Sequence, residues 1–110
     1  MNAETLKALK SSIAKWEKIV AGTGTDNGSS DCPLCALFNS SRNKVECEGC
    51  PVKERTGMRY CDGSPYYEWS NEATRLNLRG PVAASSPGLL RAAKKERAFL
   101  KRLLPKRGAP

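Results

Sequence analysis

The chain predicts a mainly α, small metal-stabilised domain, with amphipathic helices at both ends packed as a hairpin around a cysteine-rich zinc-knuckle module. Three observations predict it. Apolar residues recur at helical period near both termini. All five cysteines fall between Cys32 and Cys61, while the chain has no histidine. Finally, 110 residues with 9 glycines and 7 prolines leave little to bury, so a core alone is marginal and a metal cross-link is expected to supply folding energy.

Residues 3–21 form the first expected helix. Leu6, Leu9, Ile13, Trp16 and Val20 follow each other at steps of 3, 4, 3 and 4, which places them on one stripe. Lys7, Lys10, Lys15 and Lys18 lie off it. Asn2 is suited to cap the N-terminus, Glu4 favours the positive end of the helix dipole, and Gly22 stops the helix. A stripe that includes Trp16 is expected to be core. Residues 22–31 read as a glycine-rich loop. It has no lysine in the position a phosphate-binding loop requires, so it leads into the cysteines as a flexible connector.

Residues 32–64 form the expected metal module. Cys32-Pro33-Leu34-Cys35 and Cys47-Glu48-Gly49-Cys50 are two Cys-x-x-Cys pairs with the ligand spacing of a four-thiolate zinc site, and Cys61 follows. Each such pair makes a tight knuckle whose sulfurs point the same way, so two facing knuckles complete a tetrahedron. Cys32, Cys35 and Cys50 are expected as ligands, with Cys47 or Cys61 as the fourth and the remaining thiol free. One zinc ion is the expected cofactor. An iron–sulfur cluster is the rival, because Cys50-Pro51 echoes the end of some ferredoxin motifs. A disulfide framework is a third reading, opposed by the odd count and by the absence of an apolar leader in the first residues. Leu34, Leu37 and Phe38 are expected to cover the metal. Lys44, Lys53, Arg55 and Arg59 would offset the charge of the thiolates.

Residues 65–79 are expected to form a short helix and linker, capped by Ser64 with Pro65 at its first position. Tyr60, Tyr66, Tyr67 and Trp69 lie in this neighbourhood. Exposed, they would be a stacking platform for bases; buried, they would seal the core, and the second role is the expected one.

Ser86-Pro87 opens a basic amphipathic helix over residues 86–104, which Pro105 stops, leaving 105–110 as a tail. Leu89, Ala92, Ala93, Phe99, Leu100, Leu103 and Leu104 form its apolar face. Arg91, Lys94, Lys95, Arg97, Lys101 and Arg102 form the other. Residues 87–110 hold eight basic residues and one acid, and their net +7 accounts for nearly all of the chain's +8. That asymmetry suggests a polyanionic or acidic partner at this face.

The motif order resembles that of small cysteine-rich, zinc-knuckle-type proteins encoded by bacteriophages and prophages. The shared pieces are Trp16-Glu17, Cys32-Pro33-Leu34-Cys35, Cys47-Glu48-Gly49-Cys50-Pro51, Cys61 with Pro65-Tyr66, and Phe99-Leu100-Lys101-Arg102-Leu103-Leu104. They span nearly the whole chain. The resemblance implies metal binding, a phage origin and a host-directed role, and it names no activity.

Catalysis is not expected. No histidine is present to move protons, and zinc held by four thiolates has no open position for water. Two binding functions remain. One is a module that engages nucleic acid, or a host complex handling it, through the basic helix. The other is an inhibitor or adaptor that meets an acidic surface of a host protein, including a defence protein. No membrane and no small-molecule substrate are expected, and reduced cysteines suggest the cytoplasm, that of the bacterial host for a phage protein.

Overall fold

The computed structural model describes residues 2–38, 50–57 and 63–105. Within them the protein is mainly helical: α1 (Ala3–Ala21), α2 (Pro33–Phe38), α3 (Pro51–Thr56), α4 (Tyr66–Arg75) and α5 (Pro87–Arg102). A 3-10 turn, Gly28–Asp31, leads into α2. The extended pairing among the described residues is one isolated antiparallel bridge, Asp26 with Val82. None of the described helices is long and apolar enough to cross a membrane.

Local chemistry sets the ends of the long helices as expected. The Thr5 N–H donates to Asn2 Oδ1 at 2.7 Å, and the Leu89 N–H donates to Ser86 Oγ at 3.1 Å. Gly22 closes α1 in the left-handed conformation, φ 84°, where a side chain would be strained. Gly24 then folds back so closely that a Cβ there would stand 2.9 Å from Lys18 Cβ and 3.1 Å from the Ile19 nitrogen. At α4 the Ser64 hydroxyl accepts the Tyr66 N–H at 3.2 Å, so Ser64 caps this helix although Pro65 is its first flanking residue.

The core is one cluster drawn from every helix: Leu9, Ile13, Trp16 and Ile19 of α1, Leu34 of α2, Val52 of α3, Trp69 and Ala73 of α4, and Leu89, Ala92, Ala93 and Leu100 of α5. Two departures from the expected faces are instructive. On α1 the buried arc is Thr5, Leu9, Ser12, Ile13, Trp16 and Ile19, with Leu6 and Val20 only half-buried. The helix is gripped by both α2 and α5, so its buried arc is wider than one stripe and is rotated from the one expected. On α5, Phe99, Leu103 and Leu104 are half-buried, and Glu96 takes a fully buried place beside Ala92, Ala93 and Leu100.

α5 is packed by α4 as well as by α1. Lys95 of α5 pairs with Glu68 of α4 at 3.0 Å, and Gly88 lies against the Glu72 carboxylate, so α4 and α5 run antiparallel. α1 packs on α5 as expected, and Lys101 meets Glu17 at 3.1 Å across that contact.

Candidate metal centre and basic face

Cys32 lies in extended backbone immediately before α2, with Pro33 as the first helical residue. Its carbonyl accepts the Ala36 N–H at 2.9 Å, and its sulfur accepts the Cys35 N–H at 3.3 Å. The two residues of the first Cys-x-x-Cys pair are thus close together at the start of α2. The Cys35 thiol and N–H both donate toward the Cys32 sulfur, and the Lys15 ammonium adds positive charge. Together these outweigh burial and hold the Cys32 thiol down at about 7. A thiol so placed suits a metal ligand, which must be deprotonated.

Cys50 repeats the start. It stands in extended backbone before Pro51, its carbonyl accepts the Glu54 N–H at 3.0 Å, and it is buried in the shared core cluster that Cys32 borders. Leu34 is buried and Leu37 half-buried, while the expected contribution of Phe38 lies outside the described side chains. Cys47 and Cys61, together with Lys44, Arg59 and Tyr60, lie outside the described residues. Among the described residues no three Cys, Asp or Glu side chains form a group suited to holding a metal ion. The structure therefore brings Cys32 and Cys35 together as two neighbouring sulfurs, and no metal-binding group is completed among the described residues.

Beside this half lies a buried polar junction. Asp26, from the loop expected to be a mere connector, is buried and accepts from Lys15 Nζ at 2.6 Å, the Tyr66 hydroxyl at 2.9 Å and Trp69 Nε1 at 3.1 Å. Lys15 also donates to Asp31 at 2.8 Å. Burial works against the Lys15 charge, but the bonds to Asp26 and Asp31 outweigh it and hold its pKa above the usual lysine range. Trp16 meets Trp69 edge to face at 5.1 Å and Tyr66 at 6.0 Å. These aromatics thus seal the core, and Tyr67 is the exposed one.

Glu96 faces the same junction. Its burial, reinforced by the negative charges of Cys32 and Asp26, raises its pKa to about 8 against the opposing pull of Lys15 and the Tyr66 N–H. Its Oε1 has no hydrogen-bond partner among the described residues, nor does Ser12 Oγ. Glu96 follows Ala92 and Ala93 and precedes Leu100 at helical spacing, and that phase was the available sign of its burial. Nothing local marked Asp26, because its partners lie up to 43 residues away.

The basic face is divided by ion pairing. Lys95 is engaged by Glu68 and Lys101 by Glu17, while Arg97 is half-buried. Arg91, Lys94 and Arg102 are exposed and form no direct ion pair among the described residues; the Glu72 carboxylate, held below its usual range chiefly by its bond to Arg75, also feels the Arg91 charge.

Comparison with protein-family models, with curated proteins and with solved structures finds no match to this chain.

Proposed function

We propose that this protein is a zinc-stabilised helical module that binds nucleic acid through the outer face of α5. The observation that carries the reading is the set of exposed cations, Arg91, Lys94 and Arg102, in no direct ion pair among the described residues, on a helix whose only acid is buried. Cations in this state gain counterion-release free energy when they meet phosphates, and they give up no protein ion pair in doing so. Cys32, Cys35 and Cys50, joined by Cys47 or Cys61, would hold the ion, with an iron–sulfur cluster as the competing occupant. Zinc supplies a cross-link between segments too short to fold alone, α2 and α3 among them. A non-catalytic role follows from the same ligand set. A phage origin and action in the host cytoplasm accord with the resemblance in motif order.

The test is to purify the full chain, measure its metal content and titrate mixed-sequence nucleic acid at low and moderate salt. The expected result is about one zinc per chain and binding that weakens linearly in the logarithm of salt concentration. Metal-free, fully folded protein would overturn the zinc reading. Absence of nucleic-acid binding at low salt would overturn the partner reading in favour of an acidic protein surface.

A further inference from the structure

Resting on that reading, we infer that the partner is double-stranded DNA, held by its phosphate rims across a groove by the stripe Arg91–Lys94–Ala98–Arg102 of α5. These four residues are all exposed and follow each other at steps of 3, 4 and 4, so they lie along one line of the helix. Lys95 and Lys101 flank the line, and each is turned to a neighbouring helix by its pair with Glu68 or Glu17. The line's cations fall at its two ends. Lys94 and Arg102 are separated by about 12 Å along the axis, given a rise of about 1.5 Å per residue. The major groove of B-form DNA is also about 12 Å wide. Arg91 places a second cation near the first rim, and Ala98 between them leaves nothing bulky over the groove.

The aromatic residues point the same way. Single strands are held by stacking their bases on exposed rings. Trp16 and Trp69 are buried, Tyr66 is half-buried with its hydroxyl spent on Asp26, and Phe99 is half-buried on the inner side of α5. Tyr67 is the one large aromatic exposed among the described residues, and it belongs to α4 rather than to the stripe. A face of cations without rings suits stacked, paired bases, whose phosphates are presented and whose faces are not. The contacts are to phosphates, so no sequence preference follows.

The experiment uses the full, metal-loaded chain with a mixed-sequence DNA duplex more than two turns long, either of its single strands, and an RNA duplex of the same sequence. The DNA duplex should bind about tenfold or more tighter than the strand, because the strand gains no stacking here. It should also bind tighter than the RNA duplex, whose major groove is narrow. The variant R91Q/K94Q/R102Q should lower the logarithmic salt slope by about 2.7, at about 0.9 for each phosphate no longer neutralised. The variant K95Q/K101Q should change it by less than about 1. Each variant is compared at a temperature where its unfolding curve shows it folded, and Lys94→Gln alone repeats the slope test should the triple variant be unstable. A strand bound as tightly as the duplex, or equal slope changes in the two variants, overturns this inference while leaving nucleic-acid binding intact. A parent that binds none of the three at low salt overturns the proposed function itself.

Discussion

Two regions of the molecule use charge in opposite ways, and α5 carries both. On its inner side Glu96 joins a buried and half-buried junction of Lys15, Asp26 and Cys32, which Asp31 closes from the solvent side. There each charge is fixed by a partner or driven toward neutrality, and Asp26 accepts from three different side chains. On the outer side Arg91, Lys94 and Arg102 stand in solvent in no direct ion pair among the described residues, and Arg91 feels the Glu72 carboxylate only through its charge. A desolvated charge costs free energy unless its bonds are complete, so the inner set ties segments together and tolerates little change. A solvated charge costs almost nothing and does almost nothing for the fold, so the outer set is available for a partner.

On the proposed zinc reading, the largest effect expected on the inner side comes from the cysteines. Changing Cys32, Cys35 or Cys50 to serine should abolish metal retention and cooperative unfolding, because a hydroxyl is a poor substitute for a thiolate. Of Cys47 and Cys61, one should tolerate serine far better than the other. Elemental analysis and denaturation of the five variants would check this, and equal, complete loss at all five would point to a cluster or a structural fifth thiol.

Next in size is Asp26. Asp26→Ala leaves the Lys15 ammonium, the Tyr66 hydroxyl and the Trp69 N–H short of an acceptor, and a broken buried pair costs about 3–5 kcal/mol. Leu100→Ala, fully within the core, should cost about 2–5 kcal/mol. Half-buried Leu103 should cost less. Chemical denaturation of the three variants would show whether the polar junction matters as much as the apolar packing beside it.

A pH-dependent effect of comparable size belongs to Glu96. Its folded pKa of about 8 lies above the ordinary 4.5, so between these values the folded chain keeps a proton that the unfolded chain has released. Its contribution to stability is therefore fully present below about pH 4.5 and is lost as pH rises toward 8, at up to about 1.4 kcal/mol per pH unit. Glu96→Gln cannot titrate. Its stability relative to the parent should rise across that window and level off above it. A difference that is flat with pH would mean that Glu96 is ionised in the folded protein throughout.

What was legible in the sequence divides along the same line. Asn2, Gly22, Ser64 and Ser86 act on backbone groups a few residues away, so helix starts and stops could be read from local chemistry. The six cations on one side of α5 were legible from period alone. Which of them are spent was not, because Glu17 and Glu68 approach Lys101 and Lys95 only once α1 and α4 have packed. The same holds for Asp26, which looks like any turn aspartate until Trp69 and Tyr66 arrive. Glu96 is the intermediate case: its phase in the apolar stripe was visible, but a lone acid among cations reads more readily as a surface residue. The Cys-x-x-Cys spacing marked Cys32 and Cys35 as neighbours, and the structure adds the Cys35 N–H bond to the Cys32 sulfur and the Lys15 charge nearby.

The contrast between the two sides of α5 is tested most directly by the unfolding free energy of R91Q/K94Q/R102Q. If the outer charges serve a partner and not the fold, this variant should match the parent within about 0.5 kcal/mol, the usual range for surface changes. A loss as large as that of Asp26→Ala would contradict the division, because it would make the outer cations part of what holds the protein together.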